Sequence, residues 1–249
     1  LVYRVHFVLA SVLGAAGFLV LSFAGVLAAL SSRRLARRAP AAFAHSFSAF
    51  MRTVLGWRLE TDGQARIEAI APAVLVGNHQ SNLDVVTFGA IYPPRTAAVG
   101  KREILKIPLF GWFFAATGNI LLDRSDPSRA RASLDEAARR IGAERISVWM
   151  FPEGHRNDRA SLLPFRKGAF HLAVAAQVPV LPIVLEPMTS VLDASRGCVR
   201  PGRLRLRVLE PIPTEGLGAA DVDALAERTR AAMQSARDEL AASARAAIG

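Results

Sequence analysis

The chain of 249 residues and 26.8 kDa is 51% apolar and 21% charged with a positive mean hydropathy, which excludes a disordered or collagen-like polymer and suffices for a core without covalent staples. Its single cysteine, Cys198, excludes an intramolecular disulfide and any zinc site needing two thiolates, and fits a reducing compartment. Of the net charge of +10, residues 1–56 supply six arginines and no acid; basic charge joined to an apolar segment matches anionic lipid and argues against nucleic acid, whose binders concentrate charge on the folded domain.

From Val5 to Leu30 there are 26 consecutive residues without Asp, Glu, Lys or Arg, followed by Ser31-Ser-Arg-Arg-Leu-Ala-Arg-Arg38. As a helix the stretch reaches about 39 Å at ~1.5 Å per residue, longer than the ~30 Å hydrocarbon core of a bilayer. It is too long, and too basic at its exit, for a cleaved signal peptide with an apolar region of roughly 7–15 residues. A spanning helix would keep the arginine cluster, and everything after it, on the cytoplasmic side of the cell membrane. Gly14, Gly17 and Gly25 leave room for a bend, so a segment that dips into one leaflet fits the same residues. After Pro40, a helix start, Phe43, Phe47, Phe50 and Val54 recur at helical spacing. That stripe either packs on the folded domain or lies among lipid headgroups. The expected organisation is membrane-anchoring helices over 1–56 and a folded domain over 57–249.

Beyond Gly56, apolar runs predict strands over 57–61, 73–77, 96–99, 119–123, 146–151, 179–185 and 203–209. The segments between them predict helices over 82–91, 101–115, 127–143, 165–176 and 219–246, the alternation of an α/β domain. Ser147-Val-Trp-Met-Phe151 is apolar on both faces and reads as a central strand; Arg203-Leu-Arg-Leu-Arg-Val208 alternates strictly and reads as a half-exposed late one. The Ala-rich 219–246 segment reads as an amphipathic helix closing the fold.

No G-x-S-x-G elbow, phosphate-cradling G-x-x-x-x-G-K, G-x-G-x-x-G or H-E-x-x-H occurs, so hydrolase, nucleotide-binding and zinc-protease readings lose their main support. What stands out is Val74-Leu-Val-Gly-Asn-His-Gln-Ser-Asn-Leu-Asp84, an apolar strand running into a polar turn. On one continuous helix His79 and Asp84 would be about 140° apart and could not meet. With His79 in the turn and Asp84 on the first helical turn they can: the carboxylate accepts from Nδ1–H, fixes the tautomer and leaves Nε2 as a general base. The competing reading makes Ser81-Asn-Leu-Asp84 a capping box and His79 a loop residue.

Four blocks then recur in order: Asn78-His-Gln-Ser-Asn-Leu-Asp84, Gly118-Asn-Ile-Leu-Leu-Asp-Arg124, Phe151-Pro-Glu-Gly-His-Arg-Asn157 and Val178-Pro-Val-Leu-Pro182. With the intervening Lys101–Trp112 stretch, they resemble the motifs of the glycerolipid acyltransferases, specifically the 1-acylglycerol-3-phosphate acyltransferases. The resemblance spans about residues 74–185. It implies an α/β fold with a mixed, largely parallel sheet flanked by helices, behind an N-terminal helical membrane anchor. The reaction it implies is transfer of an acyl group from acyl-CoA or acyl carrier protein to the sn-2 hydroxyl of 1-acylglycerol-3-phosphate, giving phosphatidic acid, with His79 and Asp84 catalytic and no metal or cofactor. Arg124, at the end of an apolar strand, is placed to offer a bidentate fork to phosphate; the plain alternative is a surface pair with Asp123 or Asp126. Lys101 and Arg156 are further phosphate candidates, Lys101 equally a solvated charge. Gly154 permits an unusual torsion or close substrate approach, and Glu153 contacts the glycerol hydroxyl or orders the turn. His155 departs from the family, which usually has Thr there. The fourth motif is expected to shape a strand end and an acyl pocket, and the apolar residues Ile104, Leu105, Ile107, Leu109, Phe110, Trp112, Phe113 and Phe114 either line an acyl tunnel or form ordinary core. Other readings are a glycerol-3-phosphate or lyso-aminolipid acceptor, or a silent phospholipid-binding membrane protein. The expected partners are the two substrates, the bilayer and an acidic acyl carrier protein suited to a basic surface.

Overall fold

Strand-forming and helix-forming segments alternate into a seven-stranded sheet covered on both faces, in a computed structural model that describes residues 2–123 and 126–246. Two long helices, α1 (Val2–Ser31) and α2 (Arg33–Leu55), lead into β1 (Trp57–Asp62), the short α3 (Ala65–Ala69), β2 (Val74–Gly77) and α4 (Asp84–Phe88). Then come β3 (Thr96–Lys101), α5 (Phe110–Ala116), β4 (Ile120–Leu122), α6 (Pro127–Glu144), β5 (Ser147–Met150), α7 (Gly168–Ala176) and β6 (Val180–Leu185). A two-stranded hairpin of β7 (Leu192–Asp193) and β8 (Cys198–Val199) precedes β9 (Gly202–Val208) and α8 (Val222–Ala246).

The order across the sheet is β1-β9-β6-β2-β5-β3-β4. Strands β6, β2, β5, β3 and β4 are parallel, while β9 runs against β6 and takes β1 with it. The predicted α/β class with a mixed, largely parallel sheet is therefore the observed one. As its apolar run predicts, β5 is buried throughout between β2 and β3; β9 buries alternate residues, Leu204, Leu206 and Val208. One core, with Phe43, Phe47, Phe88, Phe113 and Trp149, lies beneath α2 and α5; the other, with Ile141, Phe170, Leu172 and Met233, lies beneath α6, α7 and α8.

The predicted helix over 101–115 is broken in two. Pro108 disfavours the helical region for the residue before it, and Ile107 is extended with ψ 118°. A 3₁₀ turn at Arg102–Lys106 thus gives way to α5 after Leu109, which sits at φ +62°. Gly111 fits because a Cβ there would meet the Leu105 carbonyl oxygen at 2.6 Å.

The stripe of α2 packs inward in part: Phe43 and Phe47 are buried, Val54 is half-buried and Phe50 is exposed beside α1, while Ser48 Oγ donates to the Val86 carbonyl at 2.6 Å. Helix α1 is unbroken, so its glycines serve close approach rather than a bend. Gly14 faces Met51, Gly17 faces Phe50 and Gly25 faces Phe113, and His6 Nε2 donates to the Val54 carbonyl at 2.8 Å. The opposite side of α1 exposes Val5, Val8, Val12, Val20, Phe23 and Leu27. By length and hydropathy α1 is long enough to cross a membrane. At the α2 seam, a Cβ on Gly89 would stand 2.7 Å from the Ala44 carbonyl oxygen, a backbone atom that cannot step aside. Gly89→Ala should therefore lower stability by about 1–3 kcal/mol through overpacking, read as a lower urea midpoint at unchanged slope.

Candidate active site

Strand β2 is buried on both faces up to Gly77, and its exit is pinned at once. The buried Asn78 exchanges two bonds with Leu185, Nδ2 to its carbonyl at 3.0 Å and its amide to Oδ1 at 2.8 Å. Gln80 donates to the Glu186 carbonyl at 2.9 Å and accepts from the Met188 amide at 3.2 Å. His79, between these two anchors, has little freedom to move.

Asp84 opens α4 and turns back on this segment. Its Oδ2 lies 2.5 Å from His79 Nδ1 and also accepts from the backbone amides of Gln80 at 2.7 Å and Ser81 at 3.1 Å. The dyad is thus the alternative that forms; the capping box is not completed, because α4 starts after Leu83 with no side-chain cap bond and Ser81 Oγ accepts from the Leu83 amide at 3.2 Å, although Asp84 Oδ2 does take the Ser81 amide. The side chain of Asp84 is 2% exposed and that of His79 26%, so the carboxylate is sealed while the imidazole reaches a cleft. The ring of Phe151 lies 4.4 Å from that of His79 at 17°, which fixes the imidazole plane.

Glu153 ties the third motif to the first. It is buried, its Oε1 accepts from the His79 amide at 2.9 Å, and its Oε2 accepts from Asn157 Nδ2 at 2.9 Å and the Leu163 amide at 3.0 Å. The Asn157 amide returns a bond to the His79 carbonyl at 2.7 Å. Of the two expectations for Glu153, the geometry is that of a turn-ordering residue, because both oxygens are already engaged within the protein. Gly154 adopts φ +73°, a left-handed torsion that glycine meets without strain.

Two cavities meet at His79. A mixed cleft of about 640 Å³, the more polar of the two, is lined by His79, Lys101, His155 and Arg156, by the acid Glu103, and by apolar residues that include Phe151. On the other side an apolar cavity of about 250 Å³ lies between α2, α5 and the sheet, walled by Phe43, Phe88, Phe110, Phe113, Trp149 and Phe151. Lys101 ends β3, and Arg156 reaches Asn82 Oδ1 at 2.5 Å. Arg124 lies outside the described residues. The strand leading towards it, β4, places Leu122 in register with Lys101, so the chain leaves the sheet beside the cleft.

His155 is exposed, lines the same cleft and bonds Arg166 Nη2 at 3.2 Å. The 104–114 stretch divides: Phe110, Phe113 and Phe114 line the apolar cavity, Ile104 and Ile107 the cleft, while Trp112 is 67% exposed. The fourth motif forms the start of β6 and lines neither cavity, contrary to the acyl-pocket expectation, because β2 separates β6 from the strands beneath those cavities.

Residues absent from the sequence reading support the loop from below. Gln234 Oε1 on α8 accepts from the Leu162 amide at 2.8 Å, and the fully buried Arg237 donates to the Ala160 carbonyl. Burial lowers the Arg237 pKa, opposed by the charge of Glu153. In an Ala-rich helix, neither residue stands out by periodicity.

A family model described as acyltransferase matches residues 58–186, the segment that carries all four motifs. The chain belongs to the acyltransferase family. A 1-acyl-sn-glycerol-3-phosphate acyltransferase of Escherichia coli is 36% identical over 200 residues, covering 80% of this chain and 80% of that protein. The enzyme of the same name from Haemophilus influenzae is 40% identical over 157 residues, covering 63% and 65%, and the human beta enzyme 38% over 192 residues, covering 77% and 68%. The chain thus spans about two thirds of the length of some of these acyltransferases. The crystal structure of the 1-acyl-sn-glycerophosphate acyltransferase from Thermotoga maritima shares the fold, with a TM-score of 0.73 at 24% identity over 96% of this chain and 95% of that one. In this acyltransferase Glu153→Gln would turn an amide group towards donors that now find carboxylate oxygens, at a cost of about 1–3 kcal/mol. The expected result is a lower melting temperature with faster proteolysis within 157–163.

Proposed function

We propose that the protein transfers an acyl group from an acyl thioester to the sn-2 hydroxyl of 1-acylglycerol-3-phosphate, giving phosphatidic acid. The observation that carries this reading is the His79–Asp84 pair, 2.5 Å apart, at the junction of a cleft that holds Lys101, Arg156 and one acid, Glu103, and an apolar cavity. Substrates with a phosphate head and a hydrocarbon chain need those two environments within one molecule's length.

In this mechanism Asp84 holds Nδ1–H, and Nε2 of His79 removes the proton from the acceptor hydroxyl as its oxygen attacks the thioester carbonyl. The tetrahedral intermediate collapses with cleavage of the carbon–sulfur bond, and the imidazolium returns its proton to the departing thiolate. The lipid hydroxyl is itself the nucleophile, so no covalent acyl-enzyme forms. The thioester is already an activated donor, so no step is routed through a metal or cofactor. Lys101 and Arg156, with Arg124, bind the phosphomonoester, whose double charge favours this acceptor over a lyso-aminolipid. The acyl donor is acyl-CoA or acyl carrier protein.

The bilayer partner of this reading is α1. One side is covered by α2 and α5 from His6 to Gly25, and the other is an apolar strip along the helix. That disposition favours a helix lying in one leaflet, with Arg33, Arg34, Arg37 and Arg38 at the cytoplasmic headgroups.

His79→Ala should lower turnover of lysophosphatidic acid with labelled acyl-CoA or acyl carrier protein by about 10²–10⁴-fold, the range for a lost general base. Phosphatidic acid formed at the wild-type rate would remove His79 from the mechanism; lipid binding without product in the wild type would favour a silent phospholipid-binding protein. Ala98 lines the apolar cavity. Ala98→Leu should shift preference towards shorter acyl chains in a competition assay, and an unchanged profile would separate that cavity from the acyl chain.

A further inference from the structure

We propose that the protein carries a second anion site, apart from the catalytic cleft, that takes the phosphate of an anionic lipid headgroup. His79 follows the end of β2, at the carboxyl edge of the parallel strands. A cavity of about 180 Å³ lies at the opposite edge, where Arg95 leads into β3. Arg33 and Arg37 from α2, Arg95 and Arg140 from α6 line it, and among its lining residues Glu144 is the one acid.

That acid and the helix end beside it are largely spoken for. Arg140 donates to Glu144 Oε1 at 2.9 Å and to the Gly118 carbonyl at 2.9 Å, and Arg95 donates to the Glu144 carbonyl. Arg37 stands 3.9 Å from the other Glu144 oxygen, with its side chain 67% exposed. Four guanidinium groups thus line one cavity with a single carboxylate, which Arg140 and Arg37 share, and an anion that accepts from Arg37 and Arg95 offsets the excess positive charge with charge-assisted bonds.

The surroundings select a lipid over a soluble anion. Arg33 follows directly on the end of α1, whose exposed apolar side runs to Leu30, itself 79% exposed. Ala36, Ala97, Ala116 and Ile146 supply an apolar wall. The site therefore sits where hydrocarbon gives way to headgroups, a placement that rests on α1 being the membrane helix.

The test compares two double variants of the full chain that remove equal charge. Arg37→Gln with Arg95→Gln strikes the cavity; Arg34→Gln with Arg38→Gln strikes exposed neighbours that do not line it. Co-sedimentation uses phosphatidylcholine vesicles with and without phosphatidylglycerol, and turnover is measured in neutral detergent micelles. The cavity variant should lose at least ten times more of the phosphatidylglycerol-dependent binding than the control, with micellar turnover of both near wild type. Equal losses would overturn the proposal in favour of diffuse charge attraction. If inorganic phosphate raises the melting temperature in a way that needs Arg37 and Arg95 while vesicle binding is unaffected by their loss, the site serves a soluble anion and the lipid assignment falls. Loss of turnover in wild-type micelles would count against the acyl-transfer reading alone.

Discussion

One buried carboxylate oxygen organises the site. Asp84 Oδ2 is shared by the imidazole of His79 and two consecutive backbone amides, those of Gln80 and Ser81. A carboxylate sealed from water needs such donors, and here all of them fall on Oδ2, because Oδ1 is buried with no hydrogen-bond partner among the described residues. Satisfying it curls residues 79–81 around the start of α4, and that curl aims His79 at the cleft. The turn and the His–Asp pair therefore share one acceptor, while Asn78, Gln80 and Glu153 hold the same segment from other sides.

A second buried carboxylate, Glu153, repeats the arrangement from the neighbouring strand. Its bond to the His79 amide joins the exits of β2 and β5, adjacent in the sheet. Asn157 completes the lacing through Glu153 and the His79 carbonyl, and α8 supports the same loop through Gln234 and Arg237. The helix that closes the fold on one face of the sheet thus reaches the residue that opens onto the cleft.

The sheet was largely readable because its strands are short apolar runs between turn residues, and every predicted strand corresponds to an observed one. The meeting of His79 and Asp84 was readable too, since a five-residue step is ruled out on one helix and permitted across a turn. The break at Ile107–Leu109 was not, although Pro108 marked it, because the apolar residues on both sides continue a helical pattern. Helix α3 and the β7–β8 hairpin are too short for a period to register. The burial of Glu153 and the contribution of Gln234 and Arg237 depend on contacts 70 or more residues apart, such as Leu162 with Gln234, which no local pattern records.

The departure at position 155 bears on how this architecture tolerates change. His155 lines the cleft and bonds Arg166, while the geometry of His79 is held by the buried Asp84, Glu153 and Asn78 and by the half-buried Phe151 ring. Orientation of the imidazole is thus independent of His155, and on the acyl-transfer reading a substitution at that position retunes acceptor binding and leaves the proton-transfer geometry intact. Phe151 has no such independence. It stacks on His79 and lines both the cleft and the apolar cavity, and Phe88 packs edge-on against it at 5.6 Å. A change of shape on either side that moves the Phe151 ring passes to the plane of the imidazole, so on that reading acyl-chain selectivity and catalytic rate are coupled through this one residue.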